Sequence, residues 1–332
     1  MRKTLTFVIA ALIAAPGLVY SETMKAIVAH EFGGPEVLKL EDVPRPEPKE
    51  NEILIKVVAA GVNPVDAMIR SGKFGAKAPL IPGYDIAGVV EKAGTKVTKL
   101  KAGDPVYAYI DIPRGGGYAE YTIATEKEAA LKPKSISFTE AAAVPVVALT
   151  AWQALFDSAK LSAGQTVLIH GGSGGVGTFA IQMAKARGAK VIATASTANH
   201  DLLKQLGADV AIDYTKQKFE EVAKDVDVVL DSVGRDTLKR SYGIVKKGGF
   251  IATLVSRLDQ SELDKHGIRG ASISVGPSST ELAEIGKLID EKKIRVIVSQ
   301  TFPLVEAVKA HQQVETGHTR GKIVLKIAEE PK

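Results

Sequence analysis

No cysteine occurs in the 332 residues. That absence excludes disulfides, a thiol nucleophile, thiolate-bound zinc and iron–sulfur clusters, and it leaves the redox state of the compartment unread. Aromatic residues are scarce at 5%, and the 43 Lys and Arg residues are scattered rather than clustered, so a formal charge of +5 gives no sign of a nucleic-acid surface. Long apolar runs are missing as well. The run from Phe7 to Ala15 is too short to span a bilayer as a helix. It follows Arg2 and Lys3 and precedes Pro16-Gly17 and a small-residue exit with Val19 and Ser21, which is the order of a Sec signal peptide over residues 1–21. The expectation is a periplasmic or secreted protein with no stable membrane insertion after cleavage. The alternative is a cytoplasmic chain starting at Met24.

What is present is ample apolar material, 45% hydrophobic against 24% charged, for one large or two ordinary domains. The texture changes twice. From Met24 to about Val147, short strand-like runs such as Ile53–Val58, Ile86–Val90, Pro105–Tyr109 and Tyr118–Ile123 are punctuated by Gly and Pro, which predicts a β-barrel-like unit. From about Ala148 to Glu291, β-branched runs alternate with helical stretches: Thr166–His170, Lys190–Ala195, Asp209–Asp213, Val226–Asp231, Phe250–Val255 and Ala271–Val275. That spacing predicts a doubly wound parallel sheet. A helix over Val305–Val314 and a strand over Lys322–Ile327 close the chain.

The sharpest motif follows the first of those parallel strands. Gly171-Gly172-Ser173-Gly174-Gly175-Val176-Gly177 leads into a helix expected over Thr178–Arg187, and Gly172, Gly174 and Gly177 match G-x-G-x-x-G. Such a turn lets Gly172 make the tight bend, Gly174 admit a pyrophosphate and Gly177 pack the helix on the strand, with phosphate at the helix N-terminus. A dinucleotide is therefore expected. At the end of the next strand an NAD site places Asp or Glu on the ribose, whereas this chain has Ala195-Ser196-Thr197-Ala198-Asn199. Hydroxyls and an amide can donate to a 2′-phosphate that a carboxylate would repel, so NADPH is favoured; no Lys or Arg stands in that turn, and dual specificity stays open.

With Gly33-Gly34-Pro35-Glu36-Val37-Leu38, Gly61-Val62-Asn63-Pro64-Val65-Asp66, Pro82-Gly83-Tyr84-Asp85-Ile86-Ala87-Gly88, Thr150-Ala151-Trp152, Leu206-Gly207-Ala208-Asp209, Asp231-Ser232-Val233-Gly234 and Gly321-Lys322-Ile323-Val324-Leu325, the chain resembles the medium-chain dehydrogenases/reductases. The likeness is to their zinc-independent quinone oxidoreductase or enone reductase branch, which includes zeta-crystallin. It implies an α/β fold: a GroES-like β-barrel catalytic domain from residues 24–147 and 294–332, a Rossmann domain over 148–293, NADPH in the cleft between them, and a homodimer. Where zinc-dependent relatives carry Cys and Gly-His-Glu, this chain carries Asn63 and Gly83-Tyr84-Asp85, and amide and phenol are poor zinc ligands. No metal is expected, and the six histidines read mostly as surface or loop residues.

Without zinc, hydrogen-bond donors must meet the charge that hydride transfer leaves on the substrate oxygen. Asn63 and Tyr84 are the candidate catalytic donors, with Asp66 orienting their loop. For Asn63 the alternative is a turn-forming amide that only shapes the loop; for Tyr84 it is a packed pocket wall. The resemblance also implies cofactor contacts at Thr150, Gly172, Ser173, Gly174, Gly175, Val176, Gly177, Ser196, Thr197, Tyr214, Ser232 and Val255. It puts Lys322 at a basic position near the phosphates, against the alternative of a solvated charge. The expected reaction reduces a quinone or an α,β-unsaturated carbonyl; a non-catalytic NADPH-binding protein of the same fold is the alternative.

Overall fold

The structure, a computed structural model, describes residues 22–112 and 114–331, so the predicted leader lies outside the described residues. Strands β1 (Thr23–Ala29) and β2 (Leu38–Pro44) form an antiparallel ladder. Next come β3 (Glu52–Val62), β4 (Asp85–Ala93), β5 (Pro105–Tyr109), β6 (Tyr121–Thr125) and β7 (Ala129–Leu131), all paired antiparallel. Ile53-Leu54-Ile55 and Val57-Val58 place apolar side chains on both faces of β3, and both faces are buried.

The second sheet is wholly parallel. It comprises β8 (Thr166–Ile169), β9 (Lys190–Ala195), β10 (Val210–Asp213), β11 (Val226–Asp231), β12 (Val245–Thr253) and β13 (Arg269–Ser272), in the order β10-β9-β8-β11-β12-β13. The winding reverses between β8 and β11, and a crevice opens there at the carboxyl ends of the strands. Two further strands, β14 (Val298–Pro303) and β15 (Lys322–Lys326), return the chain to the first unit: β15 pairs antiparallel with β3 and parallel with β14, giving β14-β15-β3-β4-β5-β7 with β6 also on β3. The helix Pro145–Trp152, buried from Pro145 to Ala151, packs against β4 and β5 of the mixed sheet and against the helices Gly175–Ala186 and Ser279–Asp290.

Three differences from expectation have simple causes. Strand β14 is not predicted because Val298-Ser299-Gln300-Thr301-Phe302-Pro303 is polar and mostly exposed, an edge held by backbone pairing. The glycine-motif helix begins at Gly175, three residues early, because glycine lowers helix propensity without preventing a first turn. Finally, His170 and His311 are buried rather than surface residues. His170 follows β8 directly and sits between the Thr194 and Ser241 hydroxyls, and the helix Ala307–Glu315 carries His311 against the Arg70 guanidinium at 3.1 Å.

Burial holds the His170 imidazole down at about 4, and burial followed by the Arg70 charge holds His311 at about 3. Between those values and the ordinary histidine pKa the unfolded chain binds the extra protons, so their stabilising contribution is present above about pH 6.5 and is lost as pH falls. Thermal denaturation is expected to show the melting temperature falling from about pH 7 to about pH 4. The fall should be shallower in His311→Gln, whose amide oxygen can still accept from Arg70. An equal slope in that variant would remove His311 from the account.

Candidate active site

The turn after β8 is built for close approach. Gly171, at φ +73°, is the residue that needs left-handed backbone, so the tight bend belongs to it rather than to Gly172. Gly172 is packed instead: a Cβ there would lie 3.0 Å from the Ala193 methyl. At Gly177 a Cβ would stand 2.3 Å from the Gly171 carbonyl oxygen, so only glycine lets the helix Gly175–Ala186 sit this close to its own turn. Gly174 is different. A Cβ there meets nothing nearer than the Gly171 oxygen at 3.4 Å, which leaves an open cradle in front of the helix N-terminus. The amides of Gly175, Val176 and Gly177 begin that helix, where N–H groups lack intrahelical partners and favour an anion. Ser173 lies in the same turn, and its carbonyl accepts from the Gly321 N–H at 2.9 Å.

The ends of the flanking strands complete the crevice. The Asp231 carboxylate, fully buried at the end of β11, accepts from the N–H groups of Val233 and Gly234 and from the Thr253 hydroxyl, which shapes the next turn. The Ser232 hydroxyl donates to the His170 carbonyl at 2.8 Å, across the glycine turn. Val233 and Val255 are exposed apolar residues on one rim, beside a cavity of about 460 Å³ that Arg235 and Thr237 also line. Thr150 is buried in its helix and donates its hydroxyl to the Val146 carbonyl.

On the side where β9 and β10 end, Ser196 accepts from the Asn199 amide at 3.3 Å, while Tyr214 is exposed. Thr197 departs from its expected role: its only O–H is committed to Asp213, so it is not free to donate to a phosphate. Asp213 also accepts from the N–H and hydroxyl of Thr215, and these donors, Thr197 first, hold its carboxyl well below the usual range. Sequence reasoning missed Lys216. Its ammonium lies 3.7 Å from the Asp213 carboxylate that also holds the Thr197 hydroxyl, which puts a cation on the turn after β10.

Across the crevice, Asn63, Asp85 and Lys322 form one buried cluster. Asp66 caps the helix Pro64–Arg70 by accepting from the Asn63 N–H at 2.6 Å, and its other oxygen accepts from the Gly83 N–H at 3.1 Å. One carboxylate thus ties the backbone at Asn63 to the backbone preceding Tyr84. Burial pushes Asp66 up to about 7, against those two N–H bonds and the Lys322 charge, with Asp85 adding to the rise. Burial, followed by the Asp66 charge, raises the Tyr84 phenol, which therefore remains a protonated donor at neutral pH. The Asn63 side chain reaches beyond its own loop: its Nδ2 donates to Asp85 at 2.9 Å and its Oδ1 accepts from Lys322.

Lys322 is buried, so it is not the solvated charge of the alternative reading. Its stem passes beside Gly175, and its ammonium ends in the cluster, bonded to the Val62 carbonyl, Asn63 and Asp85. The signal for this placement lies in strand pairing, because β15 joins β3 through Ile323 and Val62, next to Asn63. Among the described residues no group of three or more His, Asp or Glu is placed to hold a metal ion.

A six-stranded parallel sheet with a glycine turn at its winding reversal, facing a mixed sheet made from both ends of the chain, defines a two-part dinucleotide-dependent dehydrogenase fold. The chain belongs to the medium-chain dehydrogenase/reductase superfamily, in its zinc-independent quinone oxidoreductase and enone reductase branch. Residues 49–134 match the alcohol dehydrogenase GroES-like domain, and residues 206–325 match the family described as zinc-binding dehydrogenase. The chain is similar to the 2-methylene-furan-3-one reductase of Solanum lycopersicum, at 42% identity covering 91% of this chain and 79% of the relative. It is also similar to the chloroplastic NADPH-dependent alkenal/one oxidoreductase of Arabidopsis thaliana, at 41% identity over the same shares. Among solved structures, the quinone oxidoreductase from Coxiella burnetii superposes with a TM-score of 0.86 at 39% identity, covering 92% of this chain and all of that one. The quinone oxidoreductase of Escherichia coli complexed with NADPH does so with a TM-score of 0.84 at 33% identity, covering 91% of this chain and all of that one.

Proposed function

We propose that the protein is a zinc-independent, NADPH-dependent oxidoreductase that reduces a quinone or an α,β-unsaturated carbonyl compound. The observation that carries this reading is the open cradle at Gly174 beside a buried cluster of Asn63, Asp85 and Lys322, whose hydrogen-bond donors are an amide and an ammonium. Bound NADPH supplies the hydride. The helix amides at Gly175, Val176 and Gly177 hold the phosphates, and Val233, Val255 and Thr150 bound the cleft. Asn63 Nδ2 and the Tyr84 hydroxyl are the donors that meet negative charge developing on the substrate oxygen. No side chain of the cluster is a nucleophile beside an activating base, so the residues bind, orient and stabilise charge without a covalent intermediate. NADPH consumption with a panel of quinones, alkenals and enones tests this reading. Turnover with at least one class supports it; cofactor binding without any turnover would leave the non-catalytic NADPH-binding protein.

On the adenosine side, Lys216 serves a 2′-phosphate together with Ser196, Asn199 and Tyr214. Lys216→Ala is expected to weaken NADPH about fivefold to tenfold and to leave NADH within about twofold, since only NADPH carries the extra charge. Titration of both nucleotides by fluorescence checks this, and an equal loss for the two would remove Lys216 from the subsite.

The same reading takes residues 24–147 and 294–332 as the catalytic domain and 148–293 as the dinucleotide domain. It takes the protein as a homodimer, supported by the open edge at β13, whose only strand partner among the described residues is β12. Export through the leader over residues 1–21 rests on the charged start, apolar run and small-residue exit. Fractionation of the host with N-terminal sequencing tests export, and a cytosolic chain starting at Met24 would overturn it.

A further inference from the structure

The polar cluster across the crevice is saturated in a way that assigns the Asn63 amide its orientation. Asp85 and Asn63 are 0% and 2% exposed and Lys322 is 3% exposed, so water does not compete for these groups. Lys322 can only donate, and its three protons have three acceptors: the Val62 carbonyl at 3.0 Å, Asp85 Oδ2 at 3.3 Å and Asn63 Oδ1. Asp85, as a carboxylate, can only accept. It takes the Val146 N–H at 2.6 Å on one oxygen, and Asn63 Nδ2 and Lys322 on the other. An amide set between an obligate donor and an obligate acceptor has one permitted orientation. The oxygen of Asn63 must face Lys322 and one N–H must face Asp85, which leaves the second Nδ2 proton to point elsewhere.

We propose that Lys322 is a positioning residue for reduction. By occupying the Asn63 oxygen, it turns the amide so that a proton rather than a lone pair is offered to the substrate oxygen. This deepens the reading of Asn63 as the donor and rests on it. A flipped amide would present an acceptor to a developing oxyanion, which is repulsive, so the lysine acts on the transition state without touching it. The position of Lys322 also joins this orientation to the dinucleotide site. The preceding Gly321 bridges to Gly174 and donates to the Ser173 carbonyl, while the Lys322 stem runs beside Gly175, so the cradle and the amide share one strand start. Gly321 cannot be replaced at that crossing, because it sits at φ +70° and a Cβ would meet the Ile297 carbonyl oxygen at 2.3 Å.

The test has one arm independent of catalysis. In cofactor-free protein labelled with ¹⁵N-asparagine, the Asn63 side-chain amide, assigned by its disappearance in Asn63→Ala, is expected to exchange slowly with solvent. In Lys322→Met it is expected to exchange about tenfold faster or more, since the amide is then free to rotate. Unchanged exchange would overturn the proposal even if the wild type reduced no quinone or enone. Lys322→Met leaves the Asp85 charge without its cation, so Lys322→Met with Asp85→Asn provides a variant free of the buried charge. In that folded double variant, kcat is expected to fall about tenfold or more while the NADPH dissociation constant stays within about threefold. Wild-type kcat in the double variant would overturn the proposal. So would a loss of NADPH affinity as large as the loss of kcat, because it would make Lys322 a phosphate ligand instead.

Discussion

Gly174→Ala is expected to fold as the wild type does and to bind NADPH at least about tenfold more weakly, whereas Gly177→Ala is expected to lose stability outright. The two positions belong to one motif and differ in what lies in front of them. At Gly174 the backbone is extended, with φ −78° and ψ 178°, a conformation any residue adopts, and the space ahead is empty of protein. A methyl group there costs the fold nothing and stands where a phosphate must come. At Gly177 the methyl would fall 2.3 Å from one backbone atom and 2.7 Å from another, neither of which is a flexible side-chain end. Relieving that overlap means moving the helix away from its own turn, at a cost of roughly 1–3 kcal/mol or more. Thermal denaturation and nucleotide titration of both variants separate the two. Equal affinity in a folded Gly174→Ala protein would mean that no phosphate passes this residue.

Asn63→Ala is expected to lower turnover by about tenfold to a hundredfold, roughly 1.4 to 2.7 kcal/mol of transition-state stabilisation, with NADPH affinity nearly unchanged. The asymmetry follows from geometry. Asn63 is bonded to Asp85 and Lys322, and the backbone that sets its place is held by Asp66; none of these contacts involves the glycine turn. Removing the amide takes away a donor to the substrate and leaves the cradle alone. Steady-state kinetics with the best quinone or enone, beside nucleotide titration, checks both halves. Unaltered kcat would give the Asn63 side chain no part in the reaction and leave Tyr84 as the donor.

The reach of the sequence is clearest where interactions are local. Lys190–Ala195 and Val226–Asp231 coincide with β9 and β11, because β-branched runs bounded by turns can do little else in a sheet covered on both faces. The glycine turn was legible for the same reason, although the bend falls on Gly171, one residue before the motif. What escaped depends on partners far along the chain. Lys322 lies 259 positions from Asn63, and only the pairing of β15 with β3 brings them together. His311 reads as a polar helix residue until Arg70, 241 positions away, is seen to occupy its Nδ1. Lys216 lies outside the turn where a cation was sought, on the turn after β10, whose pairing with β9 is parallel. The Thr197 hydroxyl is claimed by Asp213, a contact no local pattern announces.

The central claim is that hydride passes directly from a nucleotide held at the glycine turn to an electron-poor carbon in the cleft. It is tested most directly with NADPH deuterated at either face of the nicotinamide C4 and an enone substrate, in buffer treated with a metal chelator, with the product examined by mass spectrometry and NMR. The expected result is one deuterium at the β-carbon from one face only, with undiminished rate in the chelator. Deuterium lost to solvent from both labelled forms, or activity that disappears with the chelator and returns with zinc, would contradict the account.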